Sequence, residues 1–509
     1  MANNLNRAAL LTSLLAGSLL SGVLGALPAQ AVTGSEAAAQ ASAFTARIDI
    51  GDGDRTCSGV LVDAQWLLTS ATCFSADGKP ASGAPTTATK ATIGRTDLAS
   101  TAGEVRNVVQ LVPRADRDVT LARLDKPVTT ATPLDIAPQA PAAGTDVTVA
   151  GYGRTKDEWS PLKMHTGTFT VGTPSTSNLP LAGKDGATIC AGDSGAPALA
   201  TNNGKVELVG INSRSWQGGC WGVDAAETRT DAIDTRVDDL ASWVAKNRLA
   251  TKHADVTNVM TTADFNGDGR PDIAAVLKDG NLHAFYTTAN GTLEYGRELW
   301  AHDGSWVHKK RIFGGDFNGD GFGDIAALNE AGDFVMHPGT RNGTLGSPLK
   351  MWKDTSWGGF PDIATFRSNG ATRDGLVGIS PNGGIFSYPT AANGVLDGTR
   401  KEMWKDQTWD KRLVASDDFN SDKRNDVAAI SQAGALDLYT GNTAGMLDFS
   451  NNMWTDNGWS TIPVIMGGDF NGDGKADIAA MNTASGLFIY PGDGKGKLGT
   501  RTSMWPSIG

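Results

Sequence analysis

The chain has 509 residues, of which 40% are hydrophobic and 19% charged, so it exceeds what one small core needs and does not have the composition of a disordered chain. Its formal net charge of −11 and sequence pI near 5.1 argue against nucleic acid or an anionic membrane as the main partner. The 63 glycines point to β-structure rich in turns.

In chain order, residues 1–31 read as a signal peptide. Arg7 supplies a weak positive start, "AALLTSLLAGSLLSGVLGAL" an apolar run, and "AQA" small residues at cleavage-site spacing. No later segment has the length to span a bilayer, so no membrane span is expected and the location is extracellular. Export also fits the cysteines Cys57, Cys73, Cys190 and Cys220, all in the first half, which an oxidising compartment would pair.

Residues 32–248 read as short strands broken by Gly, Pro and Asp clusters, closed by a helical pattern in "IDTRVDDLASWVAKNRL". The strongest chemical signal is "ICAGDSGAPAL" at 189–199, where Ser194 lies between glycines in a tight turn that exposes its hydroxyl and frees neighbouring N–H groups to face an oxyanion. It is preceded by "CSGVLV" at 57, "WLLTSATC" at 66, "RDVTLARLDKPV" at 117 and "GYGR" at 151, and followed by "LVGINSRSWQGGC". This order resembles the chymotrypsin–trypsin family of serine proteases over essentially all of 32–248. The resemblance implies two six-stranded β-barrels, a cleft between them, and disulfides Cys57–Cys73 and Cys190–Cys220.

Carried over by position, Ser194 matches the nucleophile, Asp118 the orienting carboxylate, and the N–H groups of Gly192 and Ser194 the oxyanion hole. Val32 follows the expected cleavage, and "VTGSEA" resembles the mature family N-terminus, whose ammonium would insert beside Asp193. Two departures stand out. Thr72 occupies the histidine position, so no side chain there takes the serine's proton near neutral pH; its hydroxyl is free to donate to Asp118 instead. Thr188, Ser213 and Arg214 border the expected specificity pocket. Thr188 stands where trypsin has an aspartate and Arg214 where the family has an aromatic wall, so a preference for Arg or Lys is not implied. His165, the one histidine of this half, falls on an outer strand of the family pattern.

Residues 249–257 form a short polar join, and 258–509 repeat. "DFNGDGRPDIAAV" at Asp264 recurs as "DFNGDGFGDIAAL" at Asp316, "DFNSDKRNDVAAI" at Asp418 and "DFNGDGKADIAAM" at Asp469. A degenerate copy, "FRSNGATRDGLVGI", is placed at Phe366 by registering Asp374 on Asp272 and Asp324. Trp300, Trp352, Trp404, Trp454 and Trp505 keep the same period and are expected to pack between units. About four strands in roughly fifty residues is the size of a propeller blade, so a propeller of about five blades is expected rather than an open solenoid. The fold class is all-β.

In each loop, oxygen-bearing side chains fall on positions 1, 3, 5 and 9, with a backbone carbonyl at 7 and Gly at 6, a pattern that suits Ca²⁺. The candidate ligands are Asp264, Asn266, Asp268 and Asp272; Asp316, Asn318, Asp320 and Asp324; Asp418, Asn420, Asp422 and Asp426; and Asp469, Asn471, Asp473 and Asp477. Three to four sites are expected, since Lys423 replaces a Gly and the copy at Phe366 lacks the acidic set. This half resembles the VCBS and FG-GAP repeats of secreted bacterial proteins, similar to the calcium-loop blades of integrin propellers. The resemblance implies a binding module for a protein or glycan ligand. The chain reads as a monomer. Three readings stay open: a secreted pseudoprotease, a serine endopeptidase with an unusual base, and a calcium-dependent adhesin.

Overall fold

The computed structural model describes residues 35–36, 42–75, 77, 79–202, 204–482 and 486–506, so the expected signal peptide and Val32 lie outside the described residues. The chain divides into two compact units between Asp239 and Leu240.

In the first unit, alternation of buried and outward residues, as in "TARIDI", rolls six strands into a closed barrel. Thr45–Ile50 pairs with Arg55–Asp63, and the ring continues through Trp66–Thr69, Thr120–Leu124, Glu104–Pro113 and Thr89–Ile93. Ala46, Ile48, Leu61, Leu67, Ile93, Leu111 and Leu124 fill it, with the Cys57–Cys73 disulfide among them. A second six-strand ring runs His165–Val171, Asn178–Gly183, Ala232–Arg236, Lys205–Ser215, Pro197–Asn202 and Asp146–Gly151, which pairs back onto the first of these. Ser35–Glu36 adds to its outside along His165–Val171. Val147, Val149, Phe169, Leu179, Leu181, Ile189 and Val209 form its core, and Cys190 bonds Cys220 beside it.

The second unit begins with the helix Ala241–His253, whose last turn carries Lys252 and His253 at the negative end of the dipole. Leu249 is buried with Val256, Met260 and Trp505, and His253 lies 4.5 Å from the Trp505 ring. Residues 249–257, read as a polar join, therefore hold the end of this helix and the start of the strand Val256–Ala263. The helix end is fixed by packing on the repeats, a tertiary contact that local polarity does not reveal.

Five four-stranded antiparallel sheets follow, each made of consecutive strands. The inner strands are Val256–Ala263, Lys309–Gly315, Asp362–Phe366, Leu413–Asp417 and Val464–Gly468. Each apolar core is shared by two neighbouring blades, and Val256, Met260 and Ile273 of the first pack with Met466, Phe470 and Ile489 of the fifth. That contact closes the ring and excludes an open solenoid. The repeated tryptophans sit in these shared cores: Trp300 meets His337 of the next blade at 4.8 Å, and Trp404 meets Tyr439 at 5.4 Å.

The register of the third copy differs from the sequence reading by one residue. Ladder pairing sets Gly375, not Asp374, opposite the inner strand where the other blades place Asp272, Asp324, Asp426 and Asp477. The loop therefore starts at Arg367, not Phe366. Its fourth residue, Gly370, then shares positive φ with Gly267, Gly319, Ser421 and Gly472. Aligning on Asp374 misled because it stands one position before the loop-end aspartates of the other blades.

Because each core joins two blades, Trp357→Ala, at a side chain 2% exposed, should destabilise the second unit by about 3–5 kcal/mol, measured as a drop in its denaturant midpoint.

Candidate active site and repeat loops

Ser194 and Asp118 come from different barrels. Asp118 precedes the strand Thr120–Leu124 of the first, and Ser194 precedes Pro197–Asn202 of the second. Glycine allows the second barrel's loop to reach the first. Gly195 has φ +87°, and a Cβ there would meet the Ser58 carbonyl and Thr69 Oγ1 at 2.1 Å. The Ser58 N–H donates to the Ser194 carbonyl at 2.9 Å, and the Cys73 sulfur, which carries no proton, lies 3.6 Å from that carbonyl.

Ser58 Oγ also donates to the Gly192 carbonyl at 3.1 Å, which fixes the peptide on that side of the loop. Among the described residues neither the Gly192 nor the Ser194 N–H donates a hydrogen bond, and the Ser194 hydroxyl has no partner. Two free N–H groups beside a free hydroxyl can accommodate an oxyanion.

Asp193 is fully buried in a space that exists because Gly151 and Gly153 lack side chains. It accepts the Gly153 N–H at 2.7 Å and the Cys190 N–H at 3.1 Å, and burial pushes its pKa up to about 7. The ammonium expected to meet it belongs to Val32, outside the described residues.

The Asp118 carboxylate is surrounded by hydroxyls. Ser70 Oγ donates at 2.9 Å to Oδ1 and 2.8 Å to Oδ2, Ser213 Oγ at 2.7 Å to Oδ2, and the Thr72 N–H at 3.0 Å to Oδ1. Thr72 Oγ1 is 3.4 Å from Oδ2 but only 2.5 Å from Ser70 Oγ. The expected Thr72–Asp118 contact is thus the long one, and Ser70, which sequence reasoning did not single out, holds the carboxylate. Its only signal was a second hydroxyl two residues before Thr72, at the residue that precedes the turn Ala71–Cys73.

Thr188 is buried and Arg214 exposed, while Ser213 faces Asp118 rather than standing as a pocket wall alone. Ser215 Oγ donates to the Ile189 carbonyl at 2.6 Å, tying the Ser213 strand to the Thr188 segment. His165 sits in the second barrel's wall, buried and opposite Gly151, not among the groups around Asp118.

In the repeat loops the first carboxylate turns onto the loop's own backbone. Asp264 accepts N–H bonds from Gly267 at 2.7 Å and Gly269 at 2.8 Å, and Asp316, Asp418 and Asp469 behave alike. Asp272, Asp324, Asp426 and Asp477 at the loop ends are 0% exposed and accept the N–H groups of Thr287, Gly339, Gly441 and Gly492. Burial, with the neighbouring loop carboxylates adding to it, pushes the first three up to about 7 and Asp477 to about 6. Asn266, Asn318, Asn420 and Asn471 project between the acidic positions. Arg270 pairs with Asp268 and Arg424 with Asp422, whereas Asp320 pairs with no cation among the described residues. Ser421 and Lys423 hold φ +60° and +68°, so the fourth loop keeps the common path without the glycines. Among the described residues, no three His, Cys, Asp or Glu side chains converge as a metal-holding group.

In the third loop Arg367 replaces the first carboxylate and bonds Asp374 at 2.8 Å, and Asp374 also accepts the Asp316 N–H at 2.8 Å. The loops of all five blades border one channel of about 970 Å³ along the inner strands. No helix among the described residues is long and apolar enough to cross a membrane.

Gly195→Ala tests the approach of the two barrels: with positive φ and a 2.1 Å clash, it should lower the first unit's stability by at least about 1–3 kcal/mol, read by thermal denaturation.

Residues 31–244 match the Trypsin family, and residues 264–327 and 418–480 match the FG-GAP-like repeat. No curated protein matches the chain. Among solved structures, human heparin binding protein is 23% identical, with a TM-score of 0.34, over 42% of this chain and 93% of that one. The chain therefore carries a trypsin-like domain followed by FG-GAP-like repeats.

Proposed function

We propose that the chain is an exported, catalytically impaired trypsin-like protease homologue whose cleft and propeller serve as binding surfaces, with Ca²⁺ held by the repeat loops. The observation that carries the reading is Thr72 with the hydroxyls around Asp118. A threonine hydroxyl donates but does not accept a proton near neutral pH, so Ser194 has no general base. Loss of a triad member leaves roughly 10³–10⁴-fold catalysis over water, far below a working protease. Trp159, Trp216 and Trp221 are 59%, 53% and 45% exposed on loops linked by the Trp221 N–H to the Thr155 carbonyl, which supports a role in binding. Two disulfides fit export.

The free hydroxyl of Ser194 and the free N–H groups beside it favour a second reading, an endopeptidase with an unusual base. A fluorophosphonate probe separates the two. The native protein should label no faster than Ser194→Ala; labelling that disappears in Ser194→Ala would establish the second reading.

For the loops, the donor chemistry fits Ca²⁺: hard oxygens on alternate residues, ending in a buried carboxylate that lacks a cation. Convergence of these donors is not made in the structure, where they cap N–H groups instead. Asp316, Asn318, Asp320 and Asp324 would hold the tightest site, since Arg270, Arg424 and Lys475 pair with Asp268, Asp422 and Asp473 while no cation among the described residues pairs with Asp320. Bound Ca²⁺ would neutralise the loop carboxylates.

In chelator, the four loop-end carboxylates retain protons in the folded chain that the unfolded chain, near its ordinary 3.8, has released. Stability should therefore fall as pH rises from about 4 to about 7, by up to about 1.4 kcal/mol per pH unit per group, and Ca²⁺ should flatten the slope. Thermal midpoints equal at both ends of that window and unmoved by Ca²⁺ would remove the metal reading.

A further inference from the structure

We propose that Ser70, and not Thr72 alone, keeps this site inactive: its hydroxyl occupies the part of the Asp118 carboxylate to which a base at position 72 must bond, so restoring the chemistry takes two changes. The inference rests on the reading of the site as impaired.

The argument begins with counting protons. Ser70 has one hydroxyl proton and lies 2.9 and 2.8 Å from the two Asp118 oxygens, which only accept. That proton therefore goes to Asp118, and the 2.5 Å contact between Ser70 and Thr72 is a donation from Thr72 to Ser70. Thr72 is in this way a donor to a donor, and its own link to the carboxylate stretches to 3.4 Å.

Acceptor capacity comes next. An ionised carboxylate offers about four lone-pair directions. Ser70, which bonds both oxygens, takes two of them, and Ser213 and the Thr72 N–H take the others. Replacing the side chain of Thr72 by imidazole removes none of these three donors. The Ser70 bond stays in place, and an imidazole N–H at position 72 finds the carboxylate already satisfied. Without that bond neither the tautomer nor the orientation of the ring is set, and a ring held in the wrong tautomer is a poor base.

Ser70 also cannot swing aside. It is 0% exposed and opens the one-turn helix Ala71–Cys73, whose Ala71 and Cys73 are buried and whose end is anchored by the Cys57–Cys73 disulfide. On the other side, Thr235 Oγ1 donates to the Asp118 carbonyl at 2.9 Å, so the carboxylate is held as well. Ser70 thus acts through Asp118, as a positioning residue with a blocking effect.

The test uses the full chain with Thr72→His, Ser70→Ala, and the double variant Ser70→Ala/Thr72→His, each treated with a fluorophosphonate. In the labelling step Ser194 Oγ bonds phosphorus, the P–F bond breaks, fluoride leaves, and the serine's proton passes to the introduced imidazole. The double variant should label at Ser194 at least about 10²-fold faster than Thr72→His, and Ser70→Ala alone should stay at the native level. The second readout is the NMR titration of the introduced ring. It should lie near the ordinary histidine value in Thr72→His and be raised in the double variant, where Asp118 accepts its N–H. Equal labelling of Thr72→His and the double variant, a raised ring already in Thr72→His, or no labelling in a folded double variant would each overturn the inference. If the double variant does not fold, the titration in Thr72→His decides alone. Ser194-dependent labelling of the native protein would instead overturn the impaired reading itself, which keeps the two failures distinct.

Discussion

The first unit depends on how the charge of Asp118 is satisfied. A half-buried carboxylate without partners is destabilising, and this one collects donors from separate elements of the fold. Ser70 and Thr72 come from a turn of the first barrel, and Ser213 from a long strand of the second. Thr235, on the adjacent strand, takes the backbone carbonyl of the same residue. The carboxylate therefore fastens the two barrels together at the corner where the catalytic groups of an active protease would meet. Hydroxyls from both barrels are enough to make this fastening, which does not require an imidazole at position 72. The turn around Ser194 has a similar double character. Its glycines admit an oxyanion, and they also let the loop lie against Ser58 and Thr69, so "GDSG" is explained by packing as well as by catalysis.

The repeats show the same trade between function and structure in five parallel trials. Four loops end in a buried carboxylate that accepts backbone N–H groups, and burial holds its pKa well above the ordinary carboxylate range. The third loop has discarded the acidic positions together and supplies its own cation, Arg367, to the aspartate that remains. The fourth keeps the acidic set but has lost two glycines, and holds Ser421 and Lys423 in a left-handed conformation to do so, at about 1–2 kcal/mol per residue. The backbone path of the loop is thus kept where the glycines that favour it are absent.

Much of this was legible in the sequence because it rests on spacing. Barrel strands alternate, blades recur, and cysteines pair at distances the family order implies, so the architecture and both disulfides could be read without coordinates. What escaped depends on registry in space. Ser70 looked like any polar residue in a turn, since nothing local reveals that its hydroxyl meets a carboxylate 48 residues later. The third loop was misaligned by one because an aspartate is a more visible marker than the positive φ of Gly370. The helical pattern read from Ile233 begins only at Ala241, because Ala232–Arg236 pairs as a strand, and Leu249 near its end is buried with Val256 and Trp505.

The shared cores of the propeller have a consequence for how the unit came about and how it can be changed. Every apolar cluster is half owned by each of two neighbours, so no single blade has an interior of its own. Five similar interfaces arranged in a circle give the ring no single starting point. A chain that entered the ring at a different blade would bury the same five cores, provided the present ends were joined between the first and fifth blades. Adding or deleting whole blades is a different matter, because it changes the angle through which each neighbour must turn to close the circle. Such a ring is tolerant of where it is cut and intolerant of how many pieces it holds.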